Sequence, residues 1–400
     1  MSNAMTPISD QEKAHVLPPR RSYVMRVVYN TVGRKGAQIG LAWLVVISIF
    51  AVLAPVIANS HPIVMKTVDG VVSWPLFKYL TPADVALPLI AMLMIALLAL
   101  KMVDAGVRWL LVIVGIVAII AACYSWVYPP QTVVYDQYRQ MQRNGEIEWA
   151  YYTPIPYSPT DRLRDMPEMQ QQPPSWDHLL GTEVNGADVF SRMIWASRIA
   201  LSIGFIATGI ALVIGVIIGG LMGYFSGIFD LVGMRLVEIL ESIPQLYLLL
   251  TFVAFFDRNL YLMMVIIGVT SWGGYARFIR AEFLKLRKMD YVQAAHASGL
   301  PLSSILFKHM LPNGIAPILV TASFGVASAI LAEATLSFLG LGIVDKPSWG
   351  QMLNQAVGAS GGFLWWMAIF PGGAIFLTVF AYNLIGEALR DTIDPYTAKN

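Results

Sequence analysis

The sequence predicts an all-α polytopic membrane protein with about eight transmembrane helices, on three observations. Apolar residues fill 56% of the 400 positions and charged residues 13%, whereas soluble chains run about 45–50% and about 25%. The apolar residues gather in runs of about 20, the length that crosses a bilayer core of about 30 Å. Lys and Arg cluster beside alternate runs, which sets orientation because they favour the cytoplasmic side. A net charge of +2 leaves no basic surplus to neutralise phosphates, so a lipid bilayer is the expected partner and nucleic acid is not. The lone cysteine, Cys123, makes neither an intrachain disulfide nor a Cys-based metal cluster.

The elements follow in order. Residues 1–36 read as a polar cytoplasmic tail, too long a lead for a cleaved signal peptide. The first transmembrane helix is expected within 37–58, with its apolar run at 37–57. Region 59–128 is expected to carry two spans, 83–100 and 107–127, the former short and trailed closely by Lys101, Asp104 and Arg108. Region 129–195 is an extracytoplasmic loop and lead-in helix, acidic on balance and rich in Pro, Tyr and Gln. Its aromatic group, Trp149, Tyr151, Tyr152 and Tyr157, either meets a partner or ligand or lies as a cover on the span ends. Residues 196–388 hold five more spans at 199–222, 232–255, 260–279, 314–340 and 363–385, with a cytoplasmic loop at 281–312 and a tail at 389–400. The basic clusters are Lys13, Arg20, Arg21, Arg26, Arg34 and Lys35 in the first tail, and Lys101 and Arg108 between spans two and three. Arg277, Arg280, Lys285, Arg287, Lys288 and Lys308 follow span six. An even span count places all three clusters on one side, with both termini cytoplasmic.

Chemistry of the usual enzymatic kinds is sparse. No Gly-Lys pair occurs, so no P-loop can cradle a nucleotide. The histidines His15, His61, His178, His296 and His309 are scattered over tails and loops, and no metal site is expected. Gly358-Ala-Ser360-Gly-Gly362 matches Gly-x-Ser-x-Gly, but a nucleophile elbow needs a strand before the serine, and an outer loop is expected here. Acids within the spans are few. Glu238 and Glu241 precede Pro244 in span five, and Arg235 stands i to i+3 from Glu238, which suits a local ion pair. Glu333 lies roughly 30 Å along the helix from Asn313, near the outer interface. It either faces a water-filled pathway or is solvated at the rim, and Glu241 and Glu333 are the candidate pathway residues. In span four Ala207, Ala211, Gly215, Gly219, Gly223 and Gly227 recur every four residues. Such a stripe lets another backbone approach closely, for tight packing or as a sliding surface.

The cytoplasmic loop carries the clearest pattern. Asp290 is placed to cap a short helix over 291–298, Gly299 to end it in the left-handed conformation, and Pro301 to stop its continuation. A second short helix, 303–310, is expected to end before Pro312. Ala294, Ala295 and Ala297 make the first helix slim, which suits a groove in another protein or a plain interfacial loop.

Gln293-Ala-Ala-x-x-x-Gly299 followed by Leu311-Pro312 resembles the EAA loop of ABC importer permeases, with Gln293 in place of the usual Glu. His309-Met-Leu-Pro-Asn313 is similar to the dipeptide, oligopeptide and nickel branch. So are His178-Leu-Leu-Gly-Thr-Glu-Val-Asn-Gly-Ala-Asp-Val-Phe-Ser-Arg192, with Ala187 for the usual Arg, and Leu331-Ala-Glu-Ala-Thr-Leu-Ser-Phe-Leu-Gly-Leu-Gly342. Pro347-Ser-Trp-Gly350 and Gly386-Glu-Ala-Leu-Arg-Asp-Thr-Ile-Asp-Pro395 complete the set. The resemblance covers residues 178–395 and the first span, while 62–172 looks like an insertion of the Yej-type permeases.

The resemblance implies a type I permease core of six spans, here with two more inserted. It implies partners: a second homologous permease, two ABC ATPase subunits that use ATP and Mg, and an extracytoplasmic peptide-binding protein. No cofactor is implied in this chain, and no catalysis. Asp290, Gln293, Ala294, Ala295, Gly299, Leu311 and Pro312 would couple to the ATPases, and Gly215, Gly219 and Gly223 would pack helices. The expected function is import of di- or oligopeptides across the cytoplasmic (inner) membrane of a prokaryote. Nickel chelates, another small solute, an ion-coupled secondary carrier and a membrane enzyme are the alternatives.

Overall fold

The computed structural model describes residues 23–99, 105–256, 258–343, 346–358 and 362–393. The tail 1–22, Lys101, Asp104, Ser360 and Pro395 lie outside the described residues.

The chain is mostly helical. A helix α1 (Tyr23–Val32) precedes α2 (Lys35–Ile57), so part of the expected tail is helical. After α2 come strands β1 (Val64–Thr67) and β2 (Val72–Ser73), then α3 (Pro75–Lys78), α4 (Pro82–Ala99), α5 (Ala105–Trp126) and α6 (Gln137–Arg143). Strand β3 (Ile147–Tyr151) returns to β1, giving an antiparallel sheet of order β2-β1-β3 with Met65 opposite Ala150. The ends of α2 and α5 therefore lie on the same side, and α4 with α5 forms an out-and-back hairpin between them. The core follows: α7 (Val189–Phe225), α8 (Gly227–Ser242), α9 (Gln245–Phe255), α10 (Leu260–Leu286), α11 (Asp290–Ala297), α12 (Leu302–Ser304), a π-turn (Ile305–Met310), α13 (Leu311–Phe338), α14 (Trp349–Gly358) and α15 (Trp365–Ile393). At the other end Arg34 meets Asp391 at 2.5 Å, so the start of α2 lies beside the end of α15.

Among the described residues six helices are long and apolar enough to cross a membrane, or seven if α8 and α9 count as one span. The remaining segment, α4, spans 18 residues, Pro82–Ala99, roughly 27 Å at the helical rise and near the length of a crossing. The span expected at 232–255 is broken in two: α8 and α9 meet at 80°. Pro244 has no N–H to donate and pushes Ile243 out of the helical region, to φ −87 and ψ 120. The span expected at 199–222 is part of a longer helix. Asp188 caps it by accepting from the Ser191 N–H at 2.7 Å, and α7 continues for 37 residues.

The segment between α5 and α7 is built rather than loose. Arg139 bridges Asp161 at 2.6 Å and Asp165 at 2.9 Å, and Lys66 on β1 pairs Glu148 on β3 at 2.6 Å. His178 Nδ1 lies 2.9 Å from Asp188, and Glu183 pairs Arg192 at 3.1 Å. The Trp366 indole donates to the Thr182 carbonyl at 3.1 Å. These contacts tie the lead-in segment to the outer ends of α7 and α15.

Within the core, α7 lies along α10 with almost no space between backbones. A Cβ at Gly215 would stand 2.5 Å from Tyr275 Cβ, and one at Gly219 would overlap the Ala276 carbonyl oxygen. One at Gly223 would come within 2.7 Å of the Arg280 carbonyl oxygen.

Candidate functional site

Two features stand out on the same frame of helices: a cavity between the spans and a short helix below them.

The cavity has a volume of about 560 Å³ and is lined by α7, the α8–α9 bend, α10 and α13. The bend makes room for it, because two helical segments at an angle cannot fill the space that a straight span would. Polar side chains on its wall include Thr208, Glu241, Gln245, Ser271, Thr321 and Ser328. Gln245 Nε2 donates to Ser271 Oγ at 2.9 Å, across the bend from α9 to α10. Ser271 in turn donates to the Ile267 carbonyl at 2.7 Å, so its hydroxyl is satisfied inside an apolar helix. Glu241 pairs with Arg277 at 2.5 Å at the cavity's edge. Glu238 makes its ion pair with Arg235 instead, on the exposed side of α8. The uncharged wall was harder to foresee: its one sequence signal is the run of hydroxyls and Gln245 beside Pro244.

Glu333 is buried rather than solvated. It is 2% exposed, and its carboxyl accepts from Ser337 Oγ at 2.6 Å. It is not solvated at a rim and does not line the cavity. Ser348 is also buried. Gly350 lies so near α13 that a Cβ there would overlap the Ala334 carbonyl oxygen, and the Trp349 indole donates to the Met193 carbonyl at 3.2 Å. Helix packing of α13 on α14 and α7 thus closes over Glu333, which periodicity alone does not reveal.

Below the spans, α11 hangs between α10 and α13. Val292 and Ala295 are 3% and 6% exposed, set against Phe283 and Leu286 of α10 and against Ile305, Leu306 and Met310. Gln293, Ala294, His296 and Ala297 face outward, so Ala295 belongs to the inner face and not to the slim outer one. Asp290 is the first helical residue and makes no cap; Met289 occupies that position without a side-chain bond. The acid still favours the helix start through the dipole. The far end closes as a Schellman turn. Leu300 N–H bonds the Ala295 carbonyl at 3.3 Å and Gly299 N–H the His296 carbonyl at 3.0 Å, with Gly299 at φ +70.

The second short helix does not end before Pro312. It widens into the π-turn and runs on through Leu311 into α13. The wider turn lies just ahead of Pro312, where a normal α-helix would press the ring onto the carbonyl of residue 308. His309 Nδ1 sits 2.9 Å from the Ser304 carbonyl oxygen inside that turn. As a result α12, the π-turn and α13 form one continuous helix, which α11 joins through the turn at Gly299.

The family described as binding-protein-dependent transport system inner membrane component matches residues 211–398, which contain the bend, most of the cavity wall and α11. The chain is 38% identical over 239 residues to the dipeptide transport system permease protein DppC of Bacillus subtilis (strain 168), covering 60% of this chain and 75% of that protein. It is 36% identical over 248 residues to the oligopeptide transport system permease protein OppC of Haemophilus influenzae, covering 61% and 78%. It is 36% identical over 244 residues to the OppC of Bacillus subtilis, again covering 61% and 78%. The multi-pass helical core, the shared sequence and the extent of each match agree: the chain belongs to the family of binding-protein-dependent transport system inner membrane components.

Proposed function

We propose that this chain is a permease subunit of an ATP-driven ABC importer that moves di- or oligopeptides across the cytoplasmic (inner) membrane of a prokaryote. The peptide class rests on the names of the relatives above. Both termini and α11 would be cytoplasmic, with the sheet region outside. The chain would divide as tail 1–36, first span 37–58, inserted region 59–128, outer segment 129–195, core 196–388 and tail 389–400. Partners would be a second permease, two ABC ATPase subunits that bind ATP and Mg, and an extracytoplasmic peptide-binding protein.

One observation carries the mechanism: the inner face of α11 packs on the π-turn that leads into α13 and shares a buried cluster with α10, and α10 and α13 also form much of the cavity wall. A push on the outer face of α11 therefore reaches the cavity through packed side chains and a continuous helix. Gln293, Ala294 and Ala297 would touch the ATPase, and Ala295 would transmit the force inward. Gly299 keeps the far end of α11 rigid, while Leu311 and Pro312 set the continuous helix. Glu241, paired with Arg277, and Gln245 would face the peptide. Glu333 would contribute at a distance, by holding α13 on α14 at the outer end.

The test is Gly299→Val. Nothing lies within 4 Å of a Cβ placed there, so the cost comes from φ +70 alone, about 1–3 kcal/mol held locally. Peptide-stimulated ATP hydrolysis and transport are expected to fall while membrane insertion stays normal. Transport at the wild-type rate would overturn the coupling role. Co-purification from native membranes should bring a second permease and ATPase subunits; a chain that purifies alone would overturn the importer reading.

A further inference from the structure

A second cavity, about 430 Å³, opens where the inserted region meets the core, at the outer ends of α4, α7 and α10. Ligand sites usually measure about 300–1,000 Å³. Its apolar part comes from the spans: Leu87 of α4, Ile199 and Ile206 of α7, and Met264 of α10. Its polar part comes mainly from segments outside them: Asn59, His61, Thr81, Ser158 and Lys346. Trp195 and Tyr261 also line it, and aromatic rings with a polar tip gather at the membrane–water boundary. The lining thus passes from apolar to polar across the same boundary as the bilayer itself.

The charges lean one way. Among the described lining residues Arg198 and Lys346 stand against one carboxylate, Asp84. Arg198 and Asp84 form an ion pair that is almost wholly buried, and the rest of the guanidinium serves the Ala51 carbonyl at 2.5 Å. Lys346, itself exposed, supplies the positive charge that remains among the described lining residues. His61 adds none near neutral pH, since burial pulls its pKa down to about 4.

We propose that this cavity holds one phospholipid with an anionic headgroup, its chain on the apolar floor and its phosphate toward Lys346. A hydrated peptide would leave its polar backbone against Leu87 and Met264, and a wholly apolar ligand would cover the Lys346 end of the cavity without pairing its charge. A phospholipid matches both ends. Its place would be the wedge between the inserted hairpin and the core.

The test is lipid retention by the full chain in mild detergent, read by native mass spectrometry after delipidation. Phosphatidylglycerol, phosphatidylcholine and glycerol 3-phosphate are added back separately. One phosphatidylglycerol is expected to stay on each chain, in preference to phosphatidylcholine. Lys346→Ala should weaken that retention roughly fivefold, the usual effect of one Lys near an anionic surface. Ser202→Trp, which fills the cavity, should abolish it; Lys346→Ala, at an exposed position, decides the matter if the tryptophan variant does not fold. Retention unchanged by Lys346→Ala, equal retention of phosphatidylcholine, displacement by glycerol 3-phosphate, or no retained lipid would each overturn the proposal.

Discussion

α10 and α5 are both long apolar helices, yet they live in opposite surroundings. Over its apolar window α10 is 56% buried within the protein and α5 only 11%. The less buried helix is the more apolar one. α10 carries Thr270, Ser271, Tyr275, Arg277 and Arg280 and packs on α7, α8, α9 and α13, whereas α5 packs on α4. Soluble proteins show the reverse trend. In lipid, an outward-facing side chain meets hydrocarbon and must be apolar. An inward-facing one meets other protein groups, so small and polar residues serve there. Between these two helices the higher hydropathy marks the periphery, whereas α7, as apolar as α5, lies against α10 and lines the cavity, its small residues and not low hydropathy marking its place.

The contrast can be broken by glycine substitutions. Gly219 on α7 touches the backbone of α10, which cannot yield, so Gly219→Val should cost about 3 kcal/mol and abolish assembly of the core. Gly115 on α5 touches only the Leu93 side chain, with a Cβ 2.6 Å from its Cδ2. That side chain can turn away, so Gly115→Ala should cost less than about 1 kcal/mol. Thermal unfolding in detergent and transport assays compare the two; equal losses would mean that the hairpin is as tightly integrated as the core.

A smaller effect is expected at the joint between the two regions. Asp84 accepts from the Thr81 N–H at 2.9 Å at the start of α4 and pairs with Arg198 of α7. Asp84→Asn should cost about 2 kcal/mol, the value of a hydrogen bond to a charged group. Hydrogen exchange should then rise in α4 and α5 with little change in α10. Faster exchange throughout α10 would show that the hairpin supports the core.

The smallest expected effect is a pH response confined to the outer region. His61 is buried beside Tyr79, with ring centroids 4.0 Å apart. Burial lowers its pKa from 6.5 to about 4, with Arg139 adding to the shift and Asp161 opposing it. The unfolded state takes up the proton first, so this stability is full above pH 6.5 and is lost as pH falls through about 4. Protection of the sheet region against exchange, taken relative to the intrinsic rate at each pH, should fall from about pH 7 to about pH 5, and His61→Phe should flatten that response. An identical response in the variant would assign it to other groups.

Much of this was legible in the chain. The apolar runs give the positions of the helices because a bilayer imposes length and composition directly. Gly299 is recognisable as a helix terminator because its conformational need is local, and the ion pair of Arg235 with Glu238 follows from helical spacing. Other features were hidden for physical reasons. Strands β1 and β3 are short and pair across some eighty residues of chain, so no turn motif announces the sheet. Asp290 looks like a cap, yet the helix starts one residue earlier than such a cap would require. Pro312 looks like a stop, but a π-turn absorbs it.

By itself the sequence determined the membrane class, the order of the helices, the family motifs and the short helix beneath the spans. These depend on solvent, on local backbone preference and on residue identity. Tertiary structure alone decided the bend at Pro244, the cavity it opens, the inward place of Ala295 and the burial of Glu333. Each of these depends on which helix lies opposite, and that follows from contacts between segments far apart in the chain.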